Sequence, residues 1–466
     1  MSRYIVSLLL LAALPVAFAT AGTPAAVSGP ARAVRLTVAG DGLALVTEER
    51  AVTVPDGASV LEIADLPARL EPRTVTAAVA DGRPLVVREQ AYLADLLTRD
   101  NLLRRFVGRE LAWIQDDGTR ITGTLLSMAG GPVFRVGDDI VFAVPGRLAL
   151  PELPADLRPV PTLRWRIRAD GAGERTVRLE YVTGGLRWAA DYVLLLTPGG
   201  KTGRLQGWAT LENHSGRGFS AARVQLLAGS LHRVSNLGPG PEPVPVRAMA
   251  MDAGAEVASV PAGGYHLYPL PRPLDLPDAA SLQVRLLDRP AVRVTRELDA
   301  TLSLSRHRGG AAAGSRVLPV SVTHVLVNDA AHGLGRPLPA GVARVRLRRG
   351  DGTLVPLGED RLPDLPVNGT ARLHTGTAFD VTAEAVPLQW RQRDRDTVDQ
   401  QWRATVRNGG EQPATVTLHV RVAASDWEVL RADRTWERED AAAFRFPLAV
   451  PGGDETDVTW TVRLRR

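Results

Sequence analysis

Short runs of alternating apolar and polar residues, separated by glycine and proline, restrict this sequence to a β-rich fold. The clearest run is TVTLHVRV, at 415–422, in which every second side chain is apolar. A side-chain period of two places those apolar residues on one face of a strand. The 34 prolines and 44 glycines interrupt such runs throughout the chain, and both residues favour turns over helix interiors. The pattern predicts many antiparallel strands and few helices.

Three stretches share a plan that is typical of strand pairs in β-sandwiches. Each is an alternating strand that ends in an asparagine, then a glycine-rich or polar loop, then a second alternating strand; the asparagines are Asn213, Asn328 and Asn408. Asparagine tolerates the left-handed backbone conformation and can bond its own backbone, so it can close a strand into a turn. The unequal intervals between the three favour related sandwich modules over a solenoid.

One segment departs from this pattern and predicts a short helix. In DNLLRRFVG, at 100–108, Asp100 can cap the first turn, and Gly108 can end the helix. The residues that follow form alternating runs joined at tight Asp/Gly turns. A short helix followed by such strands predicts a small β-barrel.

The predicted fold class is therefore mostly β, with several antiparallel immunoglobulin-like β-sandwich modules, a small β-barrel and few short helices. One segment rich in Pro, Ala and Gly has no hydrophobic period, which predicts a disordered excursion. The predicted segments are a signal peptide at 1–19, a flexible leader at 20–32, an N-terminal β domain at 33–100, the small β-barrel at 101–155, a central β-sandwich domain at 156–385 with the excursion at 237–264, and a C-terminal immunoglobulin-like β-sandwich at 386–466.

The N-terminus has the features of a secretory signal peptide. Arg3 supplies a positive charge, an apolar run follows at 5–19, and Ala17-Phe18-Ala19 is a small-x-small cleavage site. The run is too short to span a bilayer comfortably, and no second run approaches about 18 unbroken apolar residues. We expect an exported protein, periplasmic or extracellular, with no transmembrane segment after cleavage.

Composition argues against several classes of chemistry. The chain has no cysteine, which excludes disulfides, thiolate nucleophiles and Cys-ligated metals. The net charge of +5 is small for 466 residues, and the arginines are scattered beside acidic residues, so we expect no nucleic-acid binding. None of the eight histidines belongs to a metal-ligand spacing such as HExxH. We expect no metal and no cofactor.

The sequence contains no recognisable catalytic constellation. His214 and Ser215 stand beside Glu212, but they lie in a glycine-rich hairpin loop without a GxSxG elbow. His324 lies inside the apolar run SVTHVLV, where a satisfied core or edge histidine is more common than a ligand. We predict a protein that is not an enzyme. A hydrolase whose carboxylates assemble from distant strands remains an alternative.

Five aromatic residues are candidates for ligand contact: Trp188, Tyr192, Trp208, Tyr265 and Tyr268. Amphipathic rings pack on sugar faces while their polar tips form hydrogen bonds, so the set could line a glycan-binding groove. The alternative, which we favour for the set as a whole, is that the rings fill the core between two sheets. Trp208 is the strongest candidate for exposure because it shares a strand face with polar residues, and Tyr265 and Tyr268 are kept as further possible ligand contacts.

The stretch YVTGGLRWAADYVLLL, at 181–196, predicts a central strand that is covered on both faces. Its Gly-Gly pair marks the turn into the strand. Asp191, in the middle, would be costly to bury without partners. We therefore expect a buried structural anchor, paired with an arginine such as Arg187 or Arg223 or capped by backbone amides.

Three groups of motifs are specific enough to suggest a family. They are YVTGGLRWAADYVLLL with GWATLENHSGRGFSAARVQLLAG, RAMAMDAG followed by GGYHLYPLPRPLDLP, and LPAGVARVRLRRGDGTLVPLGEDRLPDLPVNGTARLHTGTAFDVTAEA. Through them, nearly the whole mature chain resembles the bacterial secreted domain of unknown function 4139 family, and it is more loosely similar to mucoidy-inhibitor-A-like proteins. The resemblance implies an exported β-rich protein with no established reaction, and it implies no catalytic residues.

Together these observations predict an exported, non-enzymatic, β-rich protein that is a binding or structural component of the bacterial cell envelope. Its expected partner is an envelope protein or a polysaccharide, with contact at the 237–264 segment. The alternatives are a glycan-binding protein and the hydrolase named above.

Overall fold

Strands dominate the computed structural model, which confirms the mostly β fold class. The structure describes residues 25–80, 82–154, 157–229, 249–250, 259–306 and 314–466. The predicted signal peptide lies outside the described residues. The chain divides into two compact units, of which unit 1 is Met1–Ala33 with Thr47–Tyr181 and unit 2 is Val34–Val46 with Val182–Arg466.

Unit 1 contains the first strands and the one α-helix of the described residues. A 3-10 helix lies at Pro72–Thr74, and β1, β2 and β12 have residues in both units. The elements are β1 Ala25–Ala39, β2 Leu43–Val54, β3 Gly57–Ile63, β4 Thr76–Val79, β5 Leu85–Leu93, α1 Arg99–Arg105, β6 Glu110–Ile114, β7 Arg120–Ser127, β8 Val133–Val136, β9 Asp139–Val141, β10 Arg147–Ala149, β11 Thr162–Ala169 and β12 Gly173–Gly184.

The main sheet of unit 1 is organised around β11, which pairs antiparallel with β3 on one side and β5 on the other. The start of β1 extends this sheet, because Ala25–Val27 pairs in parallel with Val60–Glu62 of β3. The prediction of a flexible leader is therefore wrong from residue 25 onwards, since pairing with β3 orders the backbone there. Sequence alone offers no sign of that distant partner.

The helix and the curled sheet that follows form the second part of unit 1. Five strands pair in the order β10-β6-β7-β8-β9 and form the sheet of the predicted small barrel-like module. Leu103 and Phe106 of the helix region pack into the sheet's apolar cluster. The helix cap is Thr98, whose hydroxyl accepts a hydrogen bond from the Asn101 amide at 3.2 Å. The predicted cap, Asp100, lies instead in the first turn, because Thr98 is the residue with extended backbone angles.

Unit 2 contains the remaining strands and a 3-10 helix at Ala330–His332. The strands are β13 Leu186–Leu196, β14 Thr202–Asn213, β15 Phe219–Ala228, β16 Met249–Ala250, β17 Val260–Ala262, β18 Tyr265–Pro269, β19 Leu274–Leu276, β20 Ala280–Arg293, β21 Thr295–Ser305, β22 Arg316–Leu318, β23 Ser321–Val327, β24 Gly341–Arg348, β25 Leu354–Leu362, β26 Thr370–Thr377, β27 Val381–Gln392, β28 Thr397–Asn408, β29 Ala414–Ala423, β30 Asp426–Ala432, β31 Glu437–Asp440, β32 Ala443–Val450 and β33 Asp454–Arg465.

Most of the predicted disordered excursion falls outside the described residues. The described exceptions, β16 and β17, are paired strands. β16 pairs in parallel with β20, and β17 pairs antiparallel with β18. The prediction is therefore wrong for those short stretches, where backbone pairing supplies the order that the side-chain pattern does not indicate.

Unit 2 is built from three sandwich modules with the same strand plan. In each module, one strand pairs in parallel with a much later strand; these pairs are β1 with β15, β13 with β24, and β21 with β29. The asparagine noted in the sequence ends the strand just before the later partner or directly follows it. That strand is central in an antiparallel trio: β13-β14-β20, β21-β23-β26 and β27-β28-β33.

Neighbouring modules share a strand. In the first module β13 pairs antiparallel with β14, and in the second module it pairs in parallel with β24. In the same way, β21 pairs antiparallel with β23 in the second module and in parallel with β29 in the third. The third module therefore begins well before the predicted boundary at residue 386. Its two sheets also use β21 and β22, and they enclose an apolar core that includes Trp402, Phe446 and Trp460.

The asparagine of each module links the loop that follows it to a segment that is distant in the chain. The side-chain nitrogen donates to one carbonyl in the following loop and to the two carbonyls of an aliphatic-proline pair: Asn213 to Arg217, Leu276 and Pro277, Asn328 to Arg336, Leu365 and Pro366, and Asn408 to Gln412, Val450 and Pro451. The side-chain oxygen accepts a local amide in each case, as predicted. None of the three asparagines has a positive φ, so the turns do not use the left-handed conformation that asparagine tolerates.

No helix among the residues that the structure describes is long and apolar enough to cross a membrane.

Candidate functional site

Three of the five candidate aromatic residues lie in the core of unit 2. Trp188, Tyr192 and Tyr268 are at most 6% exposed. Each satisfies its polar atom with a backbone carbonyl; the Tyr192 hydroxyl, for example, donates to Pro339 at 2.7 Å. Burial raises the pKa of Tyr268 to about 12. The possible ligand contact predicted at Tyr268 is therefore not available at the surface.

The other two aromatic residues, Trp208 and Tyr265, are half-buried. Tyr265 lies against Gly229, where a Cβ would come within 2.8 Å of the tyrosine ring, so that the glycine leaves room for the ring. Trp208 lies in the middle of β14, with Gln206 and Thr210 on the same strand face. The structure thus separates Trp208 from the core aromatics.

The strand that carries Asp191 is central, as predicted, but only one of its faces is buried. In β13, residues on the Trp188 and Tyr192 face are buried, whereas those on the Asp191 face are half-buried or exposed. The prediction that both faces are covered is wrong. Apolar side chains such as Val193 and Leu195 made the outer face resemble a core face in the sequence.

Asp191 is a half-buried anchor, and neither of its predicted arginine partners pairs with it. Its side chain is 28% exposed, and its carboxylate accepts hydrogen bonds from Arg344 at 2.9 Å and from Thr210 at 3.3 Å. Arg187 instead pairs with Glu212 at 2.7 Å. Arg344 comes from β24, the parallel neighbour of β13, and only the folded sheet places it beside Asp191.

Trp208 lies at the centre of a polar surface that we call the Trp208 face. It lies on four adjacent strands, and its members are Gln206, Trp208 and Thr210 of β14, Asp191 of β13, Gln283, Arg285 and Asp288 of β20, and Arg344 of β24. The Arg285 guanidinium lies 5.1 Å from the centre of the Trp208 ring, which is within the range of a cation–π interaction.

Hydrogen bonds link the polar members of the Trp208 face into a chain. Gln283 donates to the Thr210 hydroxyl at 3.1 Å, and Thr210 donates in turn to Asp191, which Arg344 also contacts. At the other side of the ring, Arg204 donates to Asp288 at 2.7 Å. Each side chain is thereby held in one orientation around the indole, which is the kind of preorganisation that favours binding.

Arginines pair with the carboxylates of this surface and with the neighbouring Glu212. The hydrogen bond from Arg204 lowers the pKa of Asp288, and Arg344 and Arg187 bind Asp191 and Glu212 respectively. A general acid needs a raised pKa near the working pH. The lowered pKa of Asp288 is the opposite of that requirement.

The serine that invited a hydrolase interpretation has a structural role. Ser215 is fully buried, and its hydroxyl donates to Asn213 at 2.8 Å, inside the loop that the asparagine fastens. A nucleophilic serine needs a neighbouring base and access to substrate. Ser215 has neither of these features.

Within the residues that the structure describes, no group of three or more His, Asp or Glu side chains could hold a metal ion. No protein-family model matches the chain, and no curated protein matches it.

Proposed function

We propose that this protein is an exported, non-enzymatic binding component of the bacterial cell envelope, and that its Trp208 face binds polysaccharide. The observation that carries the proposal is the half-exposed indole of Trp208, surrounded by amide, hydroxyl, carboxylate and guanidinium groups that are held in place. The signal-peptide features and the resemblance to the secreted domain of unknown function 4139 family support export. The envelope assignment rests on that resemblance.

Sugar rings present an apolar face of C–H groups and a rim of hydroxyl groups. An indole covers the apolar face, while neighbouring amides and carboxylates bond the hydroxyls. The Trp208 face offers both elements on one sheet, with Gln206, Thr210 and Asp191 next to the ring. Because the ion pairs and hydrogen bonds already order these side chains, a ligand loses little of its binding energy in fixing them.

The test is a retention assay of the purified mature chain on immobilised envelope polysaccharides from its host. We expect Trp208→Ala to raise the dissociation constant about tenfold or more, which corresponds to roughly 1.4 kcal/mol. Trp390→Ala is the matched control, because Trp390 is a half-buried tryptophan of β27 in the third module. Equal retention of the two variants, or no retention of the unmodified chain on any polysaccharide, would reject the proposal.

A second candidate function is a structural role in contact with an envelope protein. The shared strands β13 and β21 favour it, because they join the three modules of unit 2 through continuous backbone pairing. A photo-crosslinking residue placed at Gln206 in the host would separate the two functions. A single dominant crosslinked protein would favour the structural role, whereas crosslinked polysaccharide would favour the first proposal.

A further inference from the structure

A second candidate binding site lies in unit 2, on residues other than the Trp208 face. An open pocket of about 560 Å³ lies between the two sheets of the second module. Leu196, Leu347 and Leu357 line it from one sheet, and Val322 and His324 line it from the other. This volume is within the range of about 300–1,000 Å³ that is typical of small-molecule sites.

The pocket has an apolar body, and a large aromatic residue lies at its opening. Its leucine and valine walls continue to Phe379 at the opening, whose side chain is 94% exposed. A large aromatic residue so exposed forfeits the stabilisation of burial. Its position at the mouth provides an apolar surface that a ligand entering the pocket would cover.

The pocket has one cationic end. Arg296 lies directly across from His324 in the pairing of β21 with β23, and both residues line the pocket. Burial and the adjacent Arg296 lower the pKa of His324 to about 4, so the imidazole is neutral at neutral pH. No acidic residue is among the described residues that line the pocket, and Arg296 is therefore its sole full charge there.

Arg296 differs in its ion pairing from Arg372, a nearby arginine of the same sheet. The next residue along β21, Glu297, lies on the opposite strand face and forms an ion pair with Arg372 of β26. Arg296 forms no ion pair or hydrogen bond with any of the described side chains. An arginine at the mouth of an apolar pocket, without an acidic partner, is positioned to bind a carboxylate from a ligand.

We propose that this pocket binds a small amphipathic anion, an alkyl chain that ends in a carboxylate. The chain lies against Leu196, Val322 and Leu357, and Phe379 covers it at the opening. The carboxylate accepts hydrogen bonds from the Arg296 guanidinium. This inference is independent of polysaccharide binding, because none of the lining residues belongs to the Trp208 face.

Calorimetric titration of the purified mature chain with sodium decanoate, kept below its micelle concentration, tests the proposal. Decyltrimethylammonium has the same alkyl chain with the opposite charge and is the ligand control. We expect decanoate to bind and the cation to bind at least tenfold more weakly. A charge-assisted hydrogen bond has about the strength needed for a tenfold effect.

Two variants locate the binding. Arg296→Gln is expected to weaken decanoate binding about tenfold, whereas Arg296→Lys retains part of it, which distinguishes a charge contact from a change in folding. Thr377→Trp, at an exposed lining position, is expected to block the opening. Arg421→Gln removes the same charge from an exposed position on β29 outside the pocket and is expected to change nothing.

Four results would overturn the inference, and the first three concern the ligand and the pocket variants. They are the absence of decanoate binding, equal binding of decanoate and decyltrimethylammonium, and unchanged binding by both Arg296→Gln and Thr377→Trp. Loss of binding in Arg421→Gln as well would also overturn it, because the effect would then be one of general net charge.

Discussion

Replacing Asn408 removes the side chain that fastens the loop of the third module to its neighbouring strand. This amide is 3% exposed and donates to the carbonyls of Gln412 at 2.8 Å, Pro451 at 3.1 Å and Val450 at 3.3 Å. Its oxygen accepts the Gly410 amide at 3.0 Å. Asn408→Ala leaves all four backbone groups without this partner.

The expected loss follows from which of these groups water can reach. Gln412 and Pro451 are exposed and Gly410 is half-exposed, so their backbone groups can be hydrated, but Val450 is fully buried. A buried polar group left unsatisfied costs about 1–3 kcal/mol, and each lost net hydrogen bond costs about 0.5–1.5 kcal/mol. We therefore expect Asn408→Ala to lower the free energy of unfolding by about 3 kcal/mol. Asn408→Asp should lower it further at neutral pH, because a carboxylate would face three carbonyl oxygens.

Urea unfolding followed by tryptophan fluorescence measures this loss, since the third module contains five tryptophans that include Trp402 and Trp460. Gln412→Ala is the control, because it shortens a side chain in the same loop and keeps the carbonyl that Asn408 contacts. The control should stay within about 0.5 kcal/mol of the unmodified chain. A loss of the same small size in Asn408→Ala would refute the reasoning, as would an aspartate variant as stable as the original.

Two further predictions concern buried titratable groups. The pKa of His324 falls from 6.5 in the unfolded chain to about 4 in the folded protein. The contribution of this histidine to the free energy of unfolding is therefore fully present above pH 6.5 and is lost as the pH falls towards 4. His324→Leu should therefore reduce the stability lost between about pH 6.5 and 4.5 by roughly 2 kcal/mol in urea titrations, and parallel pH profiles for the two proteins would contradict this. In unit 1, the fully buried Glu48 accepts a hydrogen bond from Arg50 at 2.8 Å and one from Tyr181 at 3.3 Å. Glu48→Ala should lower the free energy of unfolding by about 3–5 kcal/mol in thermal or urea unfolding, because the buried guanidinium of Arg50 loses its carboxylate. The double variant with Arg50→Leu should lose less stability. An equal or greater loss in the double variant would reject the ion-pair account.

The candidate site could be predicted only in part. The alternation of Gln206, Trp208 and Thr210 indicated that the indole faces away from the core, because strand faces follow directly from a period of two. The partner of Asp191 could not be predicted, since Arg344 belongs to a strand far along the chain and reaches Asp191 only through parallel pairing. The same limit applies to Arg285, which lies beside Trp208 through the pairing of β20 with β14.

The sequence by itself determined the strand content, the position of most turns and the three asparagines that mark the modules, because side-chain period and turn chemistry act over a few residues. Tertiary structure decided which strands pair, that β13 and β21 each belong to two modules, and that each asparagine bonds an aliphatic-proline pair distant in the chain. It also decided that the outer face of β13 carries a polar surface and that one end of the second module stays open as a pocket. These features depend on backbone partners that are distant in the chain, and the local pattern of apolar and polar residues carries no information about which distant strand will supply them.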